Sequence, residues 1–296
     1  MFVSAIEKVS HFTRPMHTVS RTYGGSLIPG TATFFFVNEE GVAVTCKHVV
    51  QMLAQADAVN QQYNLFREQR DRLRRDSSDY TTRLQMLEEQ YQYNVDSLIQ
   101  LKVNFRNAFD SIGHLQWEVH PTLDLAILRF NGYHQRFYDS YATFVSDPGK
   151  VKQGRTLCRL GYPFPEFNNF QHNPTTDDID WTNTGMVDSP SFPIDGIITR
   201  FGGTPDGHVG TIELSTPGLR GQSGGPLFDM QGLVYGIQSM TQHLHLGFDI
   251  HEMEILNNGN RMKVSNYPFL HVGHCIHVDR IKEFLRLHNV TFYEEY

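Results

Sequence analysis

Short apolar runs rich in Val, Ile, Phe and Thr, each closed by glycine or proline, recur along most of this chain and leave few architectures open. They cover 31–37, 42–45, 115–119, 125–130, 155–160, 196–201, 209–214, 233–238 and 269–278. β-branched and aromatic side chains suit a pleated, half-buried surface, so runs of this length between turn residues read as strands. Many short strands with few helices between them predict an all-β double barrel or sandwich. The stretch from Pro163 to Pro193, rich in Asn, Asp, Thr and Pro, has no clear period and reads as a long surface loop bordering a cleft.

Residues 51–110 follow a different rule. Met52, Ala56, Val59, Tyr63, Phe66, Arg70 and Leu73 step by fours and threes, as do Tyr80, Leu84, Leu87, Tyr91, Asn94, Leu98, Leu101 and Phe105. Two heptad seams joined by Asp76-Ser77-Ser78-Asp79 predict an inserted antiparallel α-helical coiled-coil hairpin. Its expected register runs from Leu73 against Tyr80, through Phe66 against Leu87 and Tyr63 against Tyr91, to Met52 against Leu101. Each arm would project about 35–40 Å. Such an arm is expected to dock a protein partner or substrate. Arg67, Arg70, Arg72, Arg74 and Arg75, offset by Glu68 and Asp71, read as a solvated charged face.

Three motifs carry chemistry. Gly221-Gln222-Ser223-Gly224-Gly225-Pro226 surrounds a serine with glycines that permit a tight turn and bring amide N–H groups toward one point. A serine hydroxyl is a poor nucleophile until an imidazole takes its proton and a carboxylate holds that imidazole in the right tautomer. His48 follows the β-type run 41–45, and Asp124 stands at the mouth of the apolar run 125–130. The expected roles are His48 as base, Asp124 as its orienting carboxylate, Ser223 as nucleophile, and the amides of Gly221 and Ser223 as oxyanion donors.

At these residues the chain resembles the trypsin-like serine proteases of the chymotrypsin fold, and most of all their HtrA-like branch. The matching segments are Thr45-Cys46-Lys47-His48-Val49-Val50, Asp124-Leu125-Ala126-Ile127-Leu128, Gly161-Tyr162-Pro163, Gly221 to Leu227, and Val272 to Ile281. The resemblance runs from about Thr31 to Leu287, the insertion apart. It implies that Pro217, Gly218, Gly273 and Cys275 wall the primary specificity pocket, and that Ser239, Met240 and Thr241 form the edge strand that pairs with substrate. Pro217 stands where trypsin carries its pocket-floor carboxylate, which disfavours a preference for Arg or Lys. Gln222 replaces the aspartate that pairs with a freed amino terminus in trypsin, so activation by that route is not expected. The chain reaches Tyr296 without a PDZ-sized segment, so control by such a domain is not expected either.

Composition bounds the remaining classes. A net charge of −7 argues against nucleic acid as the primary ligand. No run of about eighteen apolar residues marks a membrane span, and the first residues lack the apolar stretch of a secretory signal. Cys46, Cys158 and Cys275 cannot all pair and lack metal or redox spacing, which suits buried thiols in a reducing, cytoplasmic setting. His271, His274, Cys275 and His277 cluster in sequence, but alternation along a strand divides them between two faces, so no metal is expected. The expected organisation is a first barrel from 1–50 and 111–135, a helical hairpin at 51–110, and a second barrel with a closing helix at 136–296. The expected activity is cofactor-free endopeptidase cleavage of a protein or peptide, by limited cutting of a partner recognised with help of the hairpin. A silent peptide-binding scaffold and an esterase with the same triad are the alternatives.

Overall fold

Phe34, Phe35 and Phe36 are all buried, although successive residues of a strand point to opposite faces. The strand that carries them must therefore be covered on both sides. In the computed structural model, which describes every residue except 74, 205, 206, 258 and 296, Phe34 and Phe36 pack on Phe130, while Phe35 faces Phe144 of the following half. Burying each such ring contributes about 1.5–3 kcal/mol. One continuous core thus joins two sheets.

The first sheet contains β1 (Thr13–Thr22), β2 (Leu27–Phe36), β3 (Val42–Thr45), β4 (Leu98–Phe105), β5 (His114–Val119) and β6 (Ala126–Asn131). It is antiparallel, curled, and ordered β4-β1-β2-β3-β6-β5. The second half comprises β7 (Thr143–Val145), β8 (Thr156–Gly161), β9 (Phe170–Asn173), β10 (Asp178–Trp181), β11 (Phe192–Gly203), β12 (Val209–Leu214), β13 (Pro226–Phe228), β14 (Val234–His245), β15 (Ile250–Asn257), β16 (Asn260–Asn266), β17 (Phe269–His277) and β18 (Tyr293–Glu295). Strands β13, β8, β11, β12, β17 and β14 form a six-stranded barrel, closed where β13 also pairs with β14. Strands β7 and β18 add to its outside in parallel. The fold is therefore mostly β, a curled sheet against a closed barrel.

Among the described residues four α-helices accompany the sheets: α1 (Val3–Ser10), α2 (Lys47–Asp71), α3 (Tyr80–Tyr91) and α4 (Val278–Leu287). None of the helices is long and apolar enough to cross a membrane among the described residues. Although α1 precedes the first sheet, it reaches the second half, where Phe2 packs edge-on against Phe228.

The inserted segment corrects the expectation in its second arm. Helix α3 stops at Tyr91, where Gln92 takes a left-handed conformation at φ 56°. Leu98, Leu101 and Phe105 then lie on β4, paired with β1. The expected helical pairings of Leu98 and Leu101 with the first arm are replaced by strand pairing, and Asn94 lies in the turn before β4, where it accepts from the Ser97 and Asp96 N–H groups. Ile99, Leu101, Val103 and Phe105 also alternate, and a period of two prevailed because β1 offered an unpaired edge. Helix α2 covers the other edge of β4: the Asn60 side chain donates to the Leu101 carbonyl and accepts from its N–H, both at 2.9 Å. Such capping satisfies an edge that would otherwise invite foreign strands. Farther out α2 and α3 do meet, with Tyr63, Phe66 and Leu87 buried in one cluster, but Tyr91 is edge-on to Phe66 rather than set against Tyr63.

The 163–193 stretch is more ordered than a surface loop. It carries the β9–β10 hairpin, whose Ile179 buries with Phe167 against Val19 of β1. At its turn Asp177, at φ 50°, accepts hydrogen bonds from Arg21 (2.6 Å), Tyr63 (2.8 Å) and Arg70 (3.0 Å). Arg67 reaches the Thr176 carbonyl nearby. Part of the arginine cluster is therefore a strut between α2 and the second half rather than a solvated face; Arg74 lies outside the described residues.

Candidate active site

Strand β3 runs into α2 through Cys46 in extended conformation, which places His48 in the first turn of the helix. Thr45 is opposite Ala126 in the β3–β6 register, so Asp124, just ahead of β6, lies beside that turn. One Asp124 oxygen accepts the His48 backbone N–H at 3.0 Å, satisfying a helix-start donor that would otherwise be orphaned. The two carboxylate oxygens also lie 2.8 and 3.0 Å from His48 Nδ1. This contact fixes the tautomer with the proton on Nδ1 and leaves Nε2 as the basic nitrogen. Ser239 donates a third hydrogen bond to Asp124 at 2.5 Å. Burial raises the pKa of Asp124, but the bonds from His48 and Ser239 outweigh it and hold the carboxyl at about 2.

The serine loop is clamped between the two halves. Thr33 of β2 donates its N–H to the Ser223 carbonyl at 3.0 Å and its hydroxyl to the Gly221 carbonyl at 2.7 Å. From the other side Gly224 donates to the Gln238 carbonyl, and Gln238 donates to that of Gly225. The glycines are required by this packing. Gly221 has φ +94° and a Cβ there would lie 2.6 Å from the Tyr162 carbonyl oxygen; Gly224 has φ +91° and a Cβ would strike the Thr33 carbonyl. Gln222 is buried and pinned, its amide donating to the Phe192 carbonyl and accepting from the Leu219 N–H, each at 2.9 Å. Among the described residues the backbone amides of Gly221 and Ser223 donate to no acceptor.

His48 and Ser223 open onto one cleft of about 990 Å³, shared with Gly221, Gly218, Ser239 and Thr241. The Ser223 hydroxyl donates to the Ser239 carbonyl at 3.1 Å rather than to the imidazole. Pro217 and Met240 line the cleft as well. Gly273 and Cys275 lie behind it: a Cβ on Gly273 would meet the Thr216 carbonyl at 2.6 Å, and the Cys275 thiol is fully buried. Sequence reasoning passed over Arg159, whose side chain is completely buried among the residues that wall the cleft. Its signal was a cation in the interior of the run 155–160, between Cys158 and Leu160, since arginine is rarely buried without partners.

The histidine and cysteine side chains clustered at 271–277 have different partners. His271 lies against His243 on the cleft rim, whereas His277 accepts the Asp279 N–H at the start of α4. Among the described residues, Cys46, His48 and Asp124 alone bring three such donor atoms within 4.8 Å of one another. That set is a poor metal site, because burial holds the Cys46 thiol protonated and it donates to the Gln238 carbonyl at 3.1 Å. All three cysteines are free and buried.

Residues 30–237 match the family model of the trypsin-like peptidase domain. The chain belongs to that family. Among solved structures, this trypsin-like peptidase domain is similar to two described as the HtrA-type protease AlgW with a tripeptide, one of them a substituted form. Each is 13% identical to it, with TM-scores of 0.49 and 0.48. The alignments cover 97% and 98% of this chain but 62% and 65% of those chains, so the chain spans less than two thirds of their length. No curated protein sequence matches it.

Proposed function

We propose that the chain is a serine endopeptidase in which Ser223 is the nucleophile, His48 the general base and Asp124 the orienting carboxylate. The observation that carries this reading is the pairing of His48 Nδ1 with Asp124 on the same cleft as Ser223, beside two undonated amides. As substrate enters, rotation of the Ser223 side chain takes its hydroxyl from the Ser239 carbonyl to His48 Nε2. Oxygen then attacks the scissile carbonyl while Nε2 takes the proton, and the carbonyl oxygen becomes an anion held by the amides of Gly221 and Ser223. Collapse expels the amine, which receives that proton, and leaves an acyl-serine. Water adds to the ester with His48 again as base, releasing the acid and restoring Ser223. Each amide donor is expected to supply about 3–4 kcal/mol of transition-state stabilisation. No metal or organic cofactor enters this sequence.

Ser239, Met240 and Thr241, on the cleft edge of β14, are in place to pair with an extended peptide. Val49 and Met52 of α2 line the same cleft, which supports a role for the helical insertion in holding a protein substrate. A reducing compartment suits the three unpaired thiols. A fluorophosphonate tests the nucleophile directly: Ser223 is expected to be phosphonylated in the wild type, with no label in Ser223→Ala. A folded protein that binds peptides but resists the reagent would instead be a silent scaffold, as the bond from Ser223 to Ser239 would then imply.

A further inference from the structure

The cleft wall beside Ser223 is filled from behind. Gln238 precedes Ser239 on β14 and is 2% exposed. Its side-chain oxygen accepts from Arg159 Nη1 at 2.8 Å and from the Cys275 thiol at 3.4 Å, and its nitrogen donates to the Met240 carbonyl at 2.9 Å. Both ends of the amide are therefore tethered. It lies directly against Gly218, where a Cβ would collide with it. Arg159 in turn donates through Nη2 to the Thr216 carbonyl (3.0 Å), the Thr216 hydroxyl (2.7 Å) and the Pro217 carbonyl (3.1 Å). Gly273 leaves room for its guanidinium. Every acceptor of this buried cation is a neutral oxygen.

The position of this pair decides what it does. Residues 217–219 and 238–241 line the cleft beside Ser223 and Gly221, so a peptide carbonyl attacked by Ser223, with its oxygen on the Gly221 and Ser223 amides, would send the side chain of its own residue between these segments, as the family resemblance implies. In this chain the depth of that space holds the Gln238 amide, with the Arg159 guanidinium beneath. We propose that Gln238, locked by Arg159, closes the pocket to a shallow cup that admits only small, uncharged side chains on the acyl side of the scissile bond. The inference rests on the hydrolase reading above and adds its substrate class. Long apolar side chains meet the amide, and lysine or arginine would also approach a buried positive charge.

Peptidyl phosphonates that differ only in this residue, as Ala, Leu, Phe or Arg, test the proposal through their rates of reaction with Ser223, read by intact mass. The Ala reagent is expected to react at least about tenfold faster than the Leu, Phe and Arg reagents, the scale on which pockets discriminate apolar size. In Gln238→Ala the Leu reagent is expected to gain about tenfold on the Ala reagent. Wild-type rates with Leu or Phe equal to or above that with Ala overturn the proposal, and this comparison stands even if Gln238→Ala fails to fold. If a fluorophosphonate lacking any side chain labels Ser223 while the series shows no preference for Ala, the pocket proposal alone falls. If nothing labels Ser223, the hydrolase reading falls and takes the proposal with it.

Discussion

Two carboxylates, Asp124 and Asp177, tie distant parts of this chain together, yet they do different work. Each is mostly buried, accepts three or more hydrogen bonds, and has a pKa below the ordinary carboxylate range because those bonds outweigh the effect of burial. The difference lies in the partners. Asp177 is neutralised by Arg21 and Arg70, which keep their charge at any physiological pH; it also accepts from the Tyr63 hydroxyl and lies 3.2 Å from His172 Nε2. It is a strut. Asp124 faces one imidazole, half exposed on the cleft that also holds Ser223, and, among the described residues, no Arg or Lys. In the proposed mechanism, then, a carboxylate held below the ordinary range is structural where two permanent cations bind it and chemical where the imidazole of a cleft is its one charged partner.

Substitutions that remove charge but keep shape sharpen this comparison. The largest effect is expected from Asp124→Asn, which would offer Nδ1 the wrong hydrogen-bonding group and lower peptide hydrolysis by about 10⁴-fold. A loss below about tenfold would remove Asp124 from the proposed chemistry. Asp177→Asn is expected to act in the opposite sense, destabilising the fold by about 3 kcal/mol by leaving Arg21 and Arg70 uncompensated, while kcat changes little. Denaturant unfolding together with peptide turnover separates the two outcomes, and an Asp177→Asn protein of full stability would break the contrast.

The smallest effect is expected from pH. His17 of β1 is stacked on Phe167, accepts or donates one bond to Ser189 at 3.0 Å, and is held at a pKa of about 4, chiefly by burial. The unfolded chain protonates an imidazole near 6.5, so it binds the proton first. The contribution of His17 is therefore complete above about pH 6.5 and declines as pH falls toward 4. The carboxylates follow the same sign at lower pH, losing their contribution below about 4. His17→Phe is expected to flatten the melting temperature between pH 6.5 and 4 relative to wild type; an unchanged slope would place the pH sensitivity elsewhere.

Much of the fold was legible because the strands that build the core announce themselves. The runs 42–45 and 209–214 coincide with β3 and β12, and most other expected runs lie within a few residues of observed strands. Strand β1 was not legible, since Thr13, Arg14, His17, Ser20 and Arg21 give it a polar sequence. It is buried only because β2 and β4 flank it and the β9–β10 hairpin packs across it. The long β15–β16 hairpin was missed as well, for its apolar residues are largely exposed and no core pattern marks them. At the site, Asp124, His48 and Ser223 were readable from motifs. Ser239 was placed on the substrate edge but not as a donor to Asp124, and Arg159 was overlooked.

Motifs that resemble the trypsin-like peptidases singled out His48 and Asp124 as companions of Ser223, whereas local chemistry alone determined which segments of this chain are strands of the core and where a glycine-bounded serine sits. Those properties follow from side-chain shape and backbone freedom within a few residues. Tertiary structure decided that 98–105 completes a sheet instead of a helix, that Arg70 clasps Asp177, and that Gln238 and Arg159 fill the space behind Ser223. Each of these depends on which unpaired edge, buried charge or cavity another part of the chain presents, and no local pattern encodes that.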